Sequence, residues 1–409
     1  MKALWLAILL CAGMACADEA RPHLAQMTCT ALGHAVQALG SGPVLLASYP
    51  PLNGQPPAIL ALRGVAFTYD NALASIALFG CGNAKAARQI ADALAYATNH
   101  DPDYRDGRLR NAYAAGAIKH GAITLPGYWS TERGAWNQDA YQVGSATGNQ
   151  AWAVLALLEA YRQSQEQDYL TAAQKILDWT QANTYDSQSP PGFIGGFYGY
   201  PPSPQRQGWK STEHNVDLAA AWSALDSVHA SAQAASQAMI ARRFVNSQWD
   251  AEQGRFLIGT LPDGHTQERE KSGLDAQIWP LIALHDRPDD WQRSLAFIDH
   301  AHRFADGYGF SRAPDGLWTE GTAQAAAVAQ LTGASQQAQP LWAVLVAQQA
   351  GDGWLFATPQ AQISTGLAIG PASTSNDFFY YHLPHLGATA WAAIAATGVN
   401  PFTGAQEAN

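Results

Sequence analysis

Six times along the chain, a polar or acidic cluster is followed by an alanine-rich run with large apolar residues at helical spacing. The copies start at Asp70 (DNALASIAL), Gly148 (GNQAWAVLALL), Glu213 (EHNVDLAAAWSAL), Asp275 (DAQIWPLIAL), Glu320 (EGTAQAAAVAQL) and Gly387 (GATAWAAIAA). Such runs are apolar on nearly every side, which predicts helices buried on more than one face. More polar, amphipathic stretches at 84–96, 167–181, 230–246, 290–304 and 336–349 follow the first five, and another at 22–39 precedes the first. Six buried helices alternating with six amphipathic ones predict an all-α fold, an (α/α)6 toroid in which six helical hairpins form an inner ring wrapped by an outer one. A bundle without ring closure is the alternative.

The connections favour the ring. Those leading from an amphipathic to a buried helix are long, at 99–146, 184–212, 249–274, 305–319 and 350–386, whereas the returns are short. Long loops rich in Gly, Pro, aromatic and charged residues therefore gather on one rim, where function is expected. Within them, DAEQGRFLIGTL (250–261) reads as a small hairpin. No linker or low-complexity break divides the chain, so 18–409 reads as one domain.

The N-terminus changes the setting. Lys2, an apolar run over 3–12 and small residues ending Ala15-Cys16-Ala17 before Asp18 read as a secretory leader over 1–17, cleaved after Ala17. Cys16 as a lipoprotein anchor fits less well after Gly13-Met14-Ala15. The expected location is periplasmic or secreted, and no other stretch is apolar enough to span a membrane. Export permits a disulfide between the two remaining cysteines, Cys29 and Cys81, though two buried, reduced thiols are equally compatible with the sequence. The net charge of −10 argues against nucleic acid and anionic membrane surfaces as partners. No Cys or His spacing suggests a metal, and no cofactor motif is present. A monomer is the default.

Each buried helix follows a rim loop, so its first turn faces the mouth of the ring. Four of the six first turns carry a carboxylate: Asp70, Glu213, Asp275 and Glu320. Capping and dipole complementarity account for a carboxylate at any one helix start. Four converging on one cavity suggest acid/base chemistry, because crowded carboxylates push one another's pKa values apart. The same rim offers Tyr69, Trp129, Trp136, Tyr141, Trp209, Trp318, Tyr380 and Tyr381 to stack on sugar rings. It also offers Arg108, Arg110, Asn149, Lys210, His214, Asn215 and His385 to bind hydroxyls. With 14 Trp and 15 Tyr, most aromatics must still be core.

The stretches FTYDNALASIAL, DGRLRNAY, YQVGSATGNQAWAVLALL, WKSTEHNVDLAAAW, LDAQIWPLIAL and WTEGTAQAA, spread over about residues 60–400, resemble the six-hairpin glycosidases. That (α/α)6-barrel superfamily comprises inverting glycoside hydrolases, phosphorylases and some lyases. The resemblance implies a glycoside hydrolase acting on a poly- or oligosaccharide. One catalytic carboxylate would stand at an inner-helix start and the other across the ring. Glu213 is then the candidate general acid, Asp70 or Glu320 the base, and Asp275 a spare or a binder of hydroxyls. A polysaccharide lyase of the same fold would instead use Tyr380, His214, His382 or His385 as base, with Asn215 among the groups facing a uronate. A sugar epimerase and a non-catalytic carbohydrate-binding protein of an export system are further alternatives.

Overall fold

In the computed structural model, residues 2–407 are described, with side chains from residue 19 onward; the leader expected over 1–17 lies outside the described side chains. Thirteen helices dominate, named here in chain order. They are α1 (Lys2–Ala38), α2 (Thr68–Gly80), α3 (Ala84–His100), α4 (Thr147–Ser164), α5 (Gln167–Thr184), α6 (Thr212–Val228), α7 (Ala232–Ser247), α8 (Leu274–Ile278), α9 (Pro280–Ala283), α10 (Arg293–Ala301), α11 (Thr319–Leu331), α12 (Ser335–Val346) and α13 (Leu386–Thr397).

The inner ring runs α2, α4, α6, α8 with α9, α11 and α13, and α13 packs back against α2 to close it. Each outer helix packs on its inner partner: α3 on α2, α5 on α4, α7 on α6, α10 on α8 and α12 on α11. The sixth pair joins the two ends of the chain, since α1 packs on α13 and α12. Ring closure thus rests on helices that are far apart in sequence. A disulfide between Cys29 on α1 and Cys81 at the end of α2, with Cα atoms 5.7 Å apart, ties the same seam.

Alanine explains the inner ring. In α13 every residue from Leu386 to Ala396 is buried, and in α11 every residue from Thr319 to Gln330. Only small side chains let a helix be enclosed by two ring neighbours and an outer helix at once. Three inner helices also place glycine in the first turn, at Gly148, Gly321 and Gly387. A Cβ at Gly387 would stand 2.7 Å from Glu320 Oε2 and 2.9 Å from Asp70 Oδ1, so the absence of a side chain there admits both carboxylates.

The fourth inner segment departs from the expected single helix. Pro280 has no N–H and cannot bond the Ala276 carbonyl, so regular helix stops at Ile278 and resumes at Pro280. The backbone at Trp279 stays helical (φ −61°, ψ −37°), so the segment keeps its direction. Its outer partner is also shorter than expected, with a 3₁₀ turn at Asp289–Gln292 before α10.

Short antiparallel pairs decorate the long-loop rim and anchor the inner-helix starts. Val65–Phe67 pairs with Ala112–Ala114 just before α2, and Ser145–Ala146 joins Gly196–Tyr198 just before α4. Pro384–His385 pairs with Leu355–Phe356 just before α13. The expected hairpin forms between Trp249–Asp250 and Arg255–Phe256.

The ring has no open bore at its centre. Trp152 of α4, Trp279 between α8 and α9, and Trp391 of α13 meet there, with ring centroids 5.3 to 5.8 Å apart, and Phe402 from the C-terminal tail packs against Trp152 at 5.0 Å. Each tryptophan lies about one helical turn inside the rim. Together they floor the cavity at the mouth.

Candidate active site

Above that floor the four predicted carboxylates converge from α2, α6, α8 and α11. Ring order places α6 across from α13, and α13 is flanked by α2 and α11. One wall therefore carries Glu213 and its neighbour Asp275, and the other carries Asp70, His385 and Glu320.

On the α13 wall, His385 stands between the two carboxylates, with Nε2 3.6 Å from Asp70 Oδ2 and Nδ1 3.7 Å from Glu320 Oε2. Its Nδ1 accepts the Ala388 backbone N–H at 3.2 Å, capping α13. The proton of the neutral ring is thereby assigned to Nε2, facing Asp70. Burial pushes the imidazole pKa down to about 3, so the ring is a neutral dipole rather than a counter-ion. Tyr69 donates to Glu320 Oε1 at 2.7 Å and itself accepts the Trp391 indole N–H at 2.8 Å, linking the site to the floor. Glu320 Oε2 and Asp70 Oδ2 are buried without a hydrogen-bond partner.

The two acids on this wall titrate apart. Burial raises Glu320 to about 8, with the Asp70 charge adding to it and the Tyr69 hydroxyl opposing. Burial raises Asp70 to about 7, opposed by the Ser48 hydroxyl. Ser48 Oγ already accepts the Phe67 N–H at 2.8 Å, which leaves its proton for Asp70. On a rise in pH, Asp70 therefore gives up its proton before Glu320 does.

The α6 wall works by repulsion as well as burial. Glu213 sits in the first turn of α6, which Ser211 caps by accepting the His214 N–H at 3.3 Å. Burial among carboxyl groups holds Glu213 well above the usual carboxylate range, with Asp275, Asp217 and Glu320 each adding to it. Asp275 keeps a lower pKa of about 6, because the Ala276 N–H and its own backbone favour the anion against burial. The Asp275 side chain raises the Glu213 pKa, while Glu213 lowers that of Asp275, so Glu213 is the member of the pair that keeps a proton. Glu213 is also only half-buried, while Asp70, Asp275 and Glu320 are nearly inaccessible.

Three contributors escaped the sequence reading. Asp217, four residues beyond Glu213 and so on the same helix face, is fully buried with both oxygens unpartnered. Its spacing from Glu213 could have revealed it. Tyr49 stacks on His385 at 4.8 Å, and Ser48 precedes it. Both belong to a loop with no pattern to single them out. The Trp152–Trp279–Trp391 floor was visible only as scattered core tryptophans.

The expected binding residues divide. Burial raises the Tyr141 pKa, with Glu213 and Asp70 adding to it, and nearby Asn149 Nδ2 donates to Asn111 Oδ1 at 2.7 Å. Tyr380 lies 5.6 Å from His385 and rests on buried Trp318 at 5.5 Å, so Trp318 backs the wall rather than facing the cavity. Tyr381 follows Tyr380 on the same strand and points to its other face. His214 lies at the mouth, 5.4 Å from Trp209, with Nδ1 unpartnered.

The cations and one amide are committed elsewhere. Arg110 is buried against Asp101 at 2.6 Å, and it also pairs with Asp103. Arg108 pairs with Asp106 at 2.7 Å and lies over Tyr104. Lys210 donates to the carbonyls of Gln188 and Pro190 and pairs with Asp186 at 3.0 Å. Asn215 is locked to the Phe193 and Ser211 backbone. Buried guanidinium and ammonium groups must find partners, and for these three the rim loops supplied them. Trp129 and Trp136 lie outside the cavity, on an exposed hairpin of Tyr128–Ser130 and Ala135–Asn137.

Solved structures of the same shape include a glycosidase variant in complex with glucose (12% identity, 92% of this chain and 96% of that one, TM-score 0.61). The fold is that of the six-hairpin glycosidases. A sugar epimerase from a ruminal bacterium aligns over 94% of this chain and 99% of its own, at 12% identity and a TM-score of 0.63. A GH76 α-mannanase from Bacteroides thetaiotaomicron aligns over 81% and 86%, at 12% identity and a TM-score of 0.52. No protein-family model matches the chain, and no curated protein matches it in sequence.

Proposed function

We propose that this protein hydrolyses a glycosidic bond in a neutral poly- or oligosaccharide, with inversion at the anomeric carbon. The observation that carries the reading is the convergence of four carboxyl groups at the inner-helix starts, Glu213 beside Asp275 and Asp70 beside Glu320, with pKa values held apart by burial and by one another. Glycoside hydrolysis by inversion needs an acid on one side of the sugar and a base with room for water on the other.

In this reading Glu213 is the general acid. Burial and the neighbouring carboxylates keep it protonated, and of the four it is the one with access to a leaving-group oxygen. Asp70 is the base that activates water, since it ionises first on its wall and His385 and Ser48 hold it in place. Glu320 stays protonated near neutrality and orients Tyr69 and His385. Asp275 keeps the proton on Glu213 by being the better anion of that pair.

The committed cations support a neutral sugar. A uronate entering this cavity would meet carboxyl groups, with Arg108, Arg110 and Lys210 tied up elsewhere. A lyase needs a group to neutralise that carboxylate, and Asn215 too is held by the Phe193 and Ser211 backbone, so the hydrolytic reading is preferred. The Cys29–Cys81 bridge suits an oxidising compartment and so supports export to the periplasm or beyond.

The test is to incubate the protein with neutral glucans and mannans, and separately with uronate polymers, while following reducing ends and the ultraviolet absorbance of unsaturated products. New reducing ends without absorbance, lost in Glu213→Gln, are expected. Absorbance rising on a uronate polymer would instead identify a lyase.

A further inference from the structure

The two most exposed tryptophans in the described chain, Trp129 (57% exposed) and Trp136 (59%), sit directly opposite each other on the two-stranded hairpin of Tyr128–Ser130 and Ala135–Asn137. Residues opposed across an antiparallel pair share a face, so both indoles project from one side of the hairpin. Gly127 shapes this arrangement. A Cβ there would lie 2.5 Å from Trp136 Nε1 and 2.6 Å from Cε2, so the indole rests against bare backbone and turns its other surface to solvent.

The turn is Thr131, Glu132, Arg133 and Gly134, all exposed, with one charge of each sign. Ser130, Asn137 and Gln138 flank the indoles with neutral hydrogen-bonding groups. Two flat aromatic faces beside polar donors and acceptors, with Glu132 and Arg133 at the turn, match the alternation of C–H faces and hydroxyl edges on a neutral sugar chain.

The hairpin is also continuous with the mouth. Residues 138–140 run from it to Tyr141, and they are tied to the neighbouring loop by Tyr200 Oη donating to the Gln138 carbonyl at 2.8 Å and Gly199 N to the Ala140 carbonyl at 3.0 Å. Tyr141 lies 6.2 Å from Phe378, Phe378 lies 5.9 Å from Tyr380, and Tyr380 lies beside His385. Tyr141 is five positions beyond Trp136, so the indole's backbone stands at most about 18 Å from that site residue.

We propose that Trp129 and Trp136 form a platform outside the catalytic cavity that holds a neutral polysaccharide chain feeding the mouth of the ring. The proposal rests on the hydrolase reading for its occupant and adds that the substrate is a polymer bound well beyond the bond that is cut.

The experiment is native gel electrophoresis of the intact protein in gels containing soluble starch or yeast mannan, with wild type, Glu213→Gln and the double variant Trp129→Ala/Trp136→Ala. Hydrolysis of short aryl glycosides and sedimentation of each protein are measured alongside. Wild type and Glu213→Gln should be retarded by at least one polymer, and the double variant retarded roughly tenfold less, the loss of an aromatic anchor. Its turnover of short glycosides should be unchanged. Because the hairpin is exposed, loss of fold would show as lost short-substrate activity rather than as lost retention alone. Equal retention of the double variant overturns the platform. So does absence of retention for wild type on both polymers, whether or not short glycosides are cut. A wild-type dimer that the double variant abolishes would assign the surface to a second copy of this chain instead. Retention lost in the double variant without any hydrolysis by wild type would keep the platform and sink the hydrolase.

Discussion

Both walls of the cavity raise their carboxyl groups by burial first and by neighbouring carboxylates second, and they differ in how far the acid is exposed. On the α13 wall, Asp70 and Glu320 are buried, spaced by a neutral imidazole, and Glu320 is further held by Tyr69, whose hydroxyl takes a hydrogen bond from Trp391. On the α6 wall, Glu213 is half-open to solvent and owes part of its high pKa to Asp275, Asp217 and Glu320. Glu213 and Glu320 both keep their proton chiefly through burial, but Glu213 is the one partly open to solvent. The α6 wall is thus suited to release its proton to a departing oxygen, and the α13 wall to hold a fixed base.

The largest expected effect separates the walls by chemistry. Glu213→Gln should lower kcat by about 10²–10⁴-fold, the contribution of a positioned acid, and a leaving group that needs no protonation should recover much of the loss. Asp70→Asn should fall in the same range without such recovery. If Glu320→Gln, and not Asp70→Asn, gave the loss, the two acids on the α13 wall would exchange roles.

The pH profile sharpens the contrast next. Activity should rise as Asp70 ionises near pH 7 and fall at higher pH as Glu213 gives up its proton. Ser48→Ala removes a donor that favours the Asp70 anion, so the acidic limb should move to higher pH while the alkaline limb stays put. A shift of both limbs would mean that the walls are not independent.

Stability should respond in the opposite sense to activity. Glu320 has a folded pKa of about 8, above its ordinary value of 4.5, so the folded state holds a proton that the unfolded chain has lost. The protein should therefore lose stability as pH rises from about 4.5 through 8, by on the order of a few kcal/mol. Glu320→Gln should reduce this fall in Tm between about pH 4.5 and 8, while the wild type keeps its slope.

The smallest expected effect on catalysis comes from the seam behind the α13 wall. Reducing Cys29–Cys81 opens a span of 52 residues and should cost about 4 kcal/mol of stability by chain entropy. Tm should fall, with kcat at room temperature unchanged. A change in kcat would show that the α1–α2 seam positions Asp70.

Helix number, order and sidedness were legible in the chain because hydrophobic periodicity is local. An alanine-rich run around Trp152 or Trp391 declares a helix enclosed on several faces wherever it ends up. The first-turn positions of Asp70, Glu213, Asp275 and Glu320 were equally local, and a ring of such helices converges their starts. Pro280 was visible too, but its effect on the hydrogen-bond ladder was not taken into account.

What each side chain touches was settled only by the closed ring. Tyr69 meets Glu320 across 251 residues and Trp391 across 322. Arg110 and Lys210 look like sugar binders by type and position, yet nearby loops give them Asp101 and Asp186, because a buried cation takes the nearest anion that removes its desolvation cost. Trp129 and Trp136 share their composition with the cavity aromatics, and only the fold placed them outside. Periodicity is a property of neighbouring residues, whereas pKa values, pairing and exposure depend on whatever the completed ring brings within a few ångströms.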